Sequence, residues 1–300
     1  MKLTYATRRS ALALAQCRAF VARLVAAHPG LELVEEQVVT TGDRIQDRPL
    51  SEVGGKGLFV KEIEEALLSS RADLAVHSIK DVPGILPPDL VLACIPARED
   101  ARDVLVAPRH GSLGALPKGA RLGTSSLRRA VSIRAVRPDL EIVTIRGNVD
   151  TRLRKVDEGE FDAIVLARAG LVRLGLEYRA TDVLSPDLSL PAVGQGALGI
   201  ECRQHDERTR ALLAPLHDEF TSRCVAAERG VLIALEGDCK TPLAAHAERI
   251  RDADGEMLLR LRAFVCDPDG TNQRRAEEIA QWPSSDEEAG AFGERVGSSL

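Results

Sequence analysis

Arginines are concentrated in one stretch of the chain, from Arg121 to Lys155. This stretch contains nine basic residues, eight of them arginine, against three acidic ones, whereas the whole chain carries a formal net charge of −5. A solvated basic face would use lysine as readily as arginine, but the guanidinium fork is preferred where a carboxylate or phosphate is bound by two hydrogen bonds. The composition therefore favours a site for a multiply anionic ligand.

Hydroxyls and arginines follow two consecutive predicted strands within this stretch. They are Thr124, Ser125, Ser126, Arg128 and Arg129 after the first strand, and Arg146 and Gly147 after the second, 142–145. A turn from a strand into a helix offers hydroxyls and free backbone N–H groups to an anion. Because open α/β sheets bind ligands at the carboxyl ends of their strands, we expect these side chains to share one crevice.

Composition excludes several partners and sites. Aromatic residues make up 3% of the chain and the pI is about 5.8, which argues against nucleic acid, since base stacking needs interleaved aromatics. No apolar run approaches the ~20 residues of a membrane span. The six cysteines and six histidines show no metal-binding spacing, so we expect no metal site and reduced thiols. Gln16 and Arg18 interrupt the apolar run after Arg8 and Arg9 before it resembles an export signal, so we expect a cytoplasmic protein.

The elements that must position these residues begin at the N-terminus. The pattern predicts strand 2–6, helix 10–28, strand 33–40, loop 41–57, helix 59–70 with Phe59 on its apolar face, and strand 73–77. Ser10 is a natural N-cap and leaves Arg8 at a turn from strand to helix. Lys80 and Asp81 follow strand 73–77, either as a surface ion pair or, as we prefer, with Asp81 in the ligand cleft. Lys56 lies in a glycine-rich loop that is either a lid or a plain flexible loop.

A change of domain is predicted between strands 91–95 and 103–107. Residues 103–190 alternate strands and helices, which predicts a parallel sheet. The literal GxGxxG around Gln195 precedes strand 198–202 instead of opening a helix, so it indicates a glycine hinge and not a dinucleotide site. The last part is predicted to contain helix 219–235, short strands 244–249 and 257–265, and helix 287–296. The predicted domains are 1–96 plus 197–214 with the loop 41–57, then 102–191, and then 219–300.

Seven motifs in order identify a resemblance. They are ATRRSALALAQ, TTGDRIQDRPLSEVGGKGLFVKEIE, DLAVHSIKDVP, LGTSSLRR, IRGNVDTRLRK, LPAVGQGALGIECR and LEGDCKTPLA. At these spacings they resemble the porphobilinogen deaminase (hydroxymethylbilane synthase) family, from the N-terminus to about Ala245.

The resemblance implies a transferase of tetrapyrrole (haem) biosynthesis. Such an enzyme condenses four porphobilinogen molecules head to tail, with loss of ammonia, onto a dipyrromethane cofactor held by a thioether to a cysteine, here Cys239. It releases hydroxymethylbilane by hydrolysis, and uroporphyrinogen-III synthase is the expected recipient. The implied fold has two α/β domains like type II periplasmic-binding proteins, with a central cleft, and a smaller α+β C-terminal domain. The implied protein is a cytoplasmic monomer.

The resemblance also implies roles for single residues. Asp81 matches the catalytic aspartate, which accepts pyrrole N–H groups and stabilises the azafulvene cation left by loss of ammonia. The residues implied to bind the cofactor and substrate carboxylates are Arg8, Ser10, Lys56, Lys80, Thr124, Ser125, Ser126, Arg128, Arg129, Arg146, Gly147, Arg152, Arg173 and Gln195.

Two positions depart from the family pattern, and one other function class is open. Glu52 stands where a lysine is expected, and Asp238 stands where glycine is usual, next to Cys239, whose thiolate it disfavours.

The alternative function is a non-catalytic solute-binding protein of the same fold, which would need neither Cys239 nor Asp81.

Overall fold

Two compact units make up the structure, a computed structural model that describes residues 1–44, 57–237 and 241–300. Unit 1 comprises Met1–Arg98 and Ala197–Ser222, and unit 2 comprises Glu99–Gly196 and Arg223–Leu300. The residues named above that lie outside the described ranges are Glu52, Lys56, Asp238 and Cys239. The division into three domains stays a prediction.

The elements follow closely those predicted from periodicity, except that the first four residues of the predicted loop 41–57 form a short helix. Residues 1–98 form β1 (Lys2–Arg8), α1 (Ala11–Ala27), β2 (Glu32–Val38), α2 (Thr41–Arg44), α3 (Lys61–Leu68), β3 (Leu74–Ser78) and β4 (Leu90–Cys94). Residues 99–196 form β5 (Asp103–Val106), β6 (Arg121–Gly123), α4 (Leu127–Val136), β7 (Glu141–Val143), α5 (Val149–Asp157), β8 (Ala163–Ala167), α6 (Arg168–Arg173) and β9 (Asp182–Val183). The remainder forms β10 (Leu198–Arg203), α7 (Glu207–Leu213), α8 (Glu219–Ala234), β11 (Leu243–Arg251), β12 (Met257–Val265), β13 (Arg274–Gln281) and α9 (Asp286–Ser298).

Unit 1 is built on a five-stranded mixed sheet in the order β2-β1-β3-β10-β4. β1 runs parallel to β2 and β3, and β10 runs antiparallel to β3 and β4. Helix α1 begins at the N-cap Ser10 and buries Phe20 and Leu24 in a core that includes Leu74 and Ile200 of the sheet. The parallel pairing places the ends of β1 and β3 at one edge.

Unit 2 contains a second five-stranded sheet, in the order β7-β6-β8-β5-β9. β6 is parallel to β7 and β8, as the alternation of strands and helices predicts, but β5 is antiparallel to β8 and β9. The prediction of a parallel sheet for residues 103–190 was therefore wrong for β5. The direction of β5 depends on where the chain enters unit 2, and local periodicity does not encode that.

The C-terminal residues of unit 2 form a separate antiparallel sheet, β11-β12-β13, with helices α8 and α9 contributing to its core. Two short strands were predicted here, and the structure shows three strands, of nine, nine and eight residues. β13 was missed because most of its residues are exposed and half of them are charged, so it lacks the apolar alternation that marks a half-buried strand. Two α/β sheets and a smaller α+β part confirm the predicted fold class. In the described ranges, no helix combines the length and apolarity needed to span a membrane.

Candidate functional site

One pocket of unit 1 collects the residues that follow β1 and β3. Arg8, Ser10 and Asp81 all line it, and Asp81 lies in the 3-10 turn directly after β3. The parallel register, with Ala6 beside Ala75, brings these two chain segments together. The sequence prediction that Asp81 lies at the carboxyl end of a strand is thereby confirmed. Lys80, in the same turn, is exposed.

Arg8 is held over an aromatic ring. Its guanidinium carbon lies 4.1 Å from the centroid of Phe59, a geometry in which the cation is attracted to the face of the ring. Phe59 was predicted to lie on the apolar face of a helix from 59 to 70, but α3 begins at Lys61 and Phe59 lines the pocket. Its proximity to Arg8 could not be read from helical spacing.

Two further polar residues of this pocket were missed by the sequence reasoning. Gln16 of α1 is 5% exposed, and its Oε1 accepts a hydrogen bond of 3.2 Å from Ser78 Oγ. His77, the residue before Ser78, is 5% exposed. The sequence did contain a signal for them, because each is a polar residue at a position where the apolar face of its strand or helix predicts an apolar one.

His77 faces a buried carboxylate of the neighbouring strand β10. Its Nε2 lies 2.9 Å from Glu201 Oε2, and neither carboxylate oxygen of Glu201 has a hydrogen-bond donor among the residues that the structure describes. Burial raises the pKa of Glu64 on α3, the Glu201 charge raises it further, and His77 opposes the shift. His77 and Glu201 therefore form a buried polar pair beside the pocket.

In unit 2, three hydroxyls shape the turn between β6 and α4. Ser126 is the N-cap of α4 and accepts a hydrogen bond of 3.4 Å from the Arg129 backbone N–H. Thr124 Oγ1 accepts one of 3.2 Å from the Ser126 N–H, and Ser125 Oγ donates to the Ile145 carbonyl. Ser125 thus ties this turn to the segment that follows β7, which confirms that the two strand ends lie together.

Gly147 positions Arg152. Its φ of 109° is a left-handed conformation that favours glycine, and a Cβ there would lie 2.6 Å from Thr151 Cγ2. Its carbonyl accepts a hydrogen bond of 2.8 Å from Arg152 Nε. Burial, and then the positive charges of Arg129 and Arg146, lower the pKa of Arg152 to about 10. These three arginines therefore form a cationic cluster in which like charges repel, and an added anion would relieve that repulsion.

Arg128 and Arg129 are buried around a carboxylate that the sequence reasoning did not single out. Arg128 Nη1 donates to Asp103 Oδ2 at 2.8 Å, and Arg129 Nη2 donates to Asp103 Oδ1 at 2.6 Å. Burial raises the pKa of Asp103, but the two guanidiniums more than offset this, so the pKa lies well below its usual range. Burial lowers the pKa of Arg128, and the Asp103 charge opposes that shift.

Gln195 and Arg173 contact residues 99–103 and 190–196. These two segments are the crossing, where the chain passes from unit 1 to unit 2 and back. Gln195 is 1% exposed, and its Nε2 donates to the Ala101 carbonyl at 2.6 Å and to Asp103 Oδ1 at 2.8 Å. Arg173 donates to the Gly196 carbonyl at 2.6 Å, and burial lowers its pKa against the opposing charge of Glu99. Gly196 has a φ of 88°, and a Cβ there would lie 2.5 Å from the Glu99 carbonyl oxygen, so the glycine belongs to the crossing, as predicted.

The site residues thus fall into two groups, one in each unit. Unit 1 holds Arg8, Ser10, Lys80 and Asp81, and unit 2 holds the hydroxyls, Gly147, Gln195 and the remaining arginines. Lys56 and Cys239 lie outside the described residues. Within the described ranges, no group of three or more histidine, cysteine or acidic side chains is arranged to hold a metal ion.

Comparison with known proteins gives consistent results along the whole chain. A family model described as "Porphobilinogen deaminase, dipyromethane cofactor binding domain" matches residues 3–211, and "Porphobilinogen deaminase, C-terminal domain" matches residues 222–300. A "Porphobilinogen deaminase" of Sorangium cellulosum (strain So ce56) is 61% identical over 299 residues, covering 100% of this chain and 98% of that protein.

A second relative and one solved structure complete the comparison. A "Porphobilinogen deaminase" of Syntrophotalea carbinolica is 55% identical over 268 residues, covering 89% of this chain and 84% of that protein. The solved structure "BenM effector binding domain with its effector benzoate" is 16% identical, with a TM-score of 0.43 and coverage of 72% of this chain and 89% of that one.

Proposed function

This chain belongs to the porphobilinogen deaminase family, and from that premise we propose which of its residues carry out the reaction. It is a transferase, hydroxymethylbilane synthase, which condenses four porphobilinogen molecules head to tail with loss of ammonia and releases hydroxymethylbilane by hydrolysis. Its cofactor is dipyrromethane. The alternative of a non-catalytic solute-binding protein has no support from these relatives.

Asp81 is the catalytic residue in our proposal, and the observation that carries it is the shared pocket of Arg8, Ser10 and Asp81. When ammonia leaves porphobilinogen, positive charge develops on the methylene carbon of the substrate. A fixed carboxylate stabilises that charge more strongly in a partly buried pocket than in water. Asp81 also accepts hydrogen bonds from pyrrole N–H groups, while Arg8 and Ser10 bind a substrate carboxylate.

The half-buried arginines of unit 2, including Arg146 and Arg152, bind the acetate and propionate groups of the growing chain. When bound, the dipyrromethane supplies the free pyrrole position from which the chain grows. The residues fit such a group, because Arg129, Arg146 and Arg152 repel one another and carboxylates would neutralise them. The hydroxyl turn before α4 and the half-buried Arg146 and Arg152 offer donors for those carboxylates.

Cys239 is the proposed attachment point of the cofactor. The cysteines that the structure describes are all buried, and burial raises the pKa of Cys17 and Cys94 to about 12 and that of Cys202 to about 11. Thiols with such pKa values are poor nucleophiles at neutral pH. This supports attachment at Cys239, in the motif LEGDC.

Intact-mass spectrometry tests the attachment. We predict that the purified protein is heavier than its sequence by two linked pyrrole units, and that Cys239→Ser removes the excess mass and the activity. Cys266→Ser, which changes a buried cysteine of the same unit, is the control and should keep both. Full activity in a wild-type protein of unmodified mass would rule the proposal out.

We further infer a cytoplasmic monomer whose product passes to uroporphyrinogen-III synthase. The free, buried state of the described cysteines supports a reducing compartment. Sedimentation of the purified protein tests the monomer, and a coupled assay with that synthase tests the transfer of product.

A further inference from the structure

A buried polar cluster, the Asp103 network, lies behind the turn that begins α4. Its members are Asp103, Arg128, Arg129, Ser189 and Gln195, and none is more than 7% exposed. Asp103 itself is 0% exposed and accepts hydrogen bonds from Arg128, Arg129, Ser189 and Gln195.

Within the network, both guanidiniums donate most of their hydrogen bonds to acceptors of the protein itself. Arg128 makes four hydrogen bonds, to Asp103, Ser189, the Leu190 carbonyl and Gln195. Arg129 also makes four, two to Asp103 and one each to the Val165 carbonyl and Gln195. Their orientations are therefore set by Asp103 and its neighbours, and few of their N–H groups remain for a ligand.

The charges of the network do not cancel. Two guanidiniums face one carboxylate, so the network as a whole keeps one positive charge. That charge is felt outside the network, because Arg129 is one of the two cations that lower the pKa of Arg152. Arg152 and Arg146 are half-buried and closer to solvent than Arg128 and Arg129.

A gain in folding stability alone does not explain why these charged residues are buried together. A buried ion cluster loses hydration that its internal attraction barely recovers, and well-packed apolar residues are often as stable or more so. An arrangement with fixed orientations and an uncancelled charge is, in contrast, what a preorganised anion site needs.

We propose that Asp103 is a positioning residue of the anion site: it fixes Arg128 and Arg129 so that one uncancelled positive charge is held behind the α4 turn, where it acts on the carboxylates of the bound ligand. Asp103 does not contact the reacting atoms in this proposal. The inference rests on the proposed function, because it takes the ligand to be a polycarboxylate oligopyrrole.

The test compares Asp103→Asn with Asp139→Asn. Asp139 also accepts two guanidinium hydrogen bonds, from Arg137, in the same unit, but it does not contact the network. Asp103→Asn raises the net positive charge of the network but removes the carboxylate that orients both guanidiniums, and in this proposal their orientation decides binding. We therefore expect cofactor occupancy, measured by intact mass, to fall, and KM for porphobilinogen to rise about tenfold or more in the loaded fraction. The kcat of that fraction should change less than about threefold, since Asp81 is unaltered. Asp139→Asn should leave all three values unchanged.

Three further outcomes decide the proposal. If Asp103 has a purely structural role, Asp103→Asn should give less folded protein but a normal KM in the loaded fraction. If Asp103 competes with the ligand for the two guanidiniums, the KM should fall. Either result overturns the proposal. If Asp103→Asn does not fold, Ser189→Ala replaces it, since it removes the hydrogen bond of 2.8 Å to Asp103 and the one of 3.3 Å from Arg128 without changing a charge. It should raise KM about threefold at constant kcat, and an unchanged KM would count against Asp103.

These outcomes are separable from failure of the proposed function. A wild-type protein without the added mass and without porphobilinogen turnover would refute the function before any variant is compared. A loaded, active wild type with normal KM in both variants would refute only the role of Asp103.

Discussion

Asp81 and Asp103 show how the surroundings of one residue type change what it can do. Asp81 is partly exposed in a pocket with Arg8 and Ser10, where a substrate can reach its carboxylate. Asp103 is inaccessible, and both of its oxygens accept hydrogen bonds from protein donors. Of the two, only Asp81 can meet a cation that forms on the substrate, which is why we propose catalysis for its charge and orientation for that of Asp103.

Replacing Asp81 by asparagine separates charge from shape. Asp81→Asn keeps the size and one acceptor but removes the negative charge, so we expect turnover to fall ~10²–10³-fold. Ligand affinity should change much less, because arginines hold the carboxylates. Turnover is measured on protein whose cofactor loading has been checked by intact mass.

The matched control for this prediction is Asp89→Asn, which alters an exposed aspartate of the same unit and should leave turnover unchanged. Normal turnover in loaded Asp81→Asn protein would remove the catalytic role from this residue.

At the scale of elements, one carboxylate ties together α1, β1 and β2. Glu35 of β2 accepts two hydrogen bonds of 3.0 Å from Arg18 of α1 and one of 2.8 Å from Tyr5 Oη of β1. The hydrogen bonds of Arg18, and with them those of Gln37 and Tyr5, outweigh burial and lower the pKa of Glu35 to about 2. Burial and the bond to Glu35 raise the pKa of Tyr5 to about 12.

This contact should make unit 1 sensitive to acid. The folded pKa of about 2 lies below the ordinary value of 4.5, so the stabilisation is present above about pH 4.5 and is lost as the pH falls towards 2. Glu35→Gln should lower the free energy of unfolding at pH 7 and reduce its loss between about pH 5 and about pH 3. Urea unfolding across this range measures both. Glu36→Gln, which removes a surface pair with Arg71, should keep the wild-type slope, and an unchanged slope in Glu35→Gln would contradict the assignment.

Helices α8 and α9 approach each other so closely that only glycine fits at position 293 of their contact. A Cβ on Gly293 would lie 1.9 Å from the Ala227 carbonyl oxygen, a backbone atom that cannot move aside without shifting α8. A Cβ on Gly290 of the same helix would lie 3.9 Å from the Ala226 carbonyl oxygen, an ordinary contact.

This pair of glycines makes a matched test of the packing. Gly293→Ala should lower the free energy of unfolding by about 1–3 kcal/mol, because the helices must separate. Gly290→Ala should be neutral or stabilising by up to about 1 kcal/mol, since alanine favours a helix over glycine. Thermal and urea unfolding measure the two variants, and equal effects would show that the contact is looser than described.

At the scale of the whole molecule, a net negative chain carries a positive site. The formal net charge is −5, while the stretch from Arg121 to Lys155 has six more basic than acidic residues. Because Arg128, Arg129, Arg146 and Arg152 follow strands β6 and β7 of one sheet, we expect their field to act on a small anionic ligand without making the whole chain a polyanion binder.

Salt should therefore weaken substrate binding. We expect KM for porphobilinogen to rise several-fold between about 0.05 M and about 0.5 M potassium chloride, because the Debye length shortens from about 14 Å to about 4 Å. The kcat should change less, since the carboxylate of Asp81 acts at short range. Sucrose at matched osmolarity is the control, and a KM independent of salt would show that the ligand is held by short-range contacts alone.

The sequence by itself determined most of the elements, the strand-end location of Asp81 and of the hydroxyl turn, and the anionic nature of the ligand. These follow from local periodicity, capping residues and charge composition, and each is encoded within a few residues of the chain. The seven motifs added the family, which the comparisons confirm.

Only the tertiary structure decided which arginines are enclosed and which remain accessible. Arg128 and Arg129 look alike in sequence to Arg146 and Arg152, but Asp103 lies some 25 residues upstream and reaches Arg128 and Arg129 only because β5 enters the sheet antiparallel beside β8. The position of Phe59 beside Arg8 and the pairing of His77 with Glu201 depend likewise on residues distant in the chain. Such contacts arise from strand order and chain direction, and no local pattern of residues specifies either.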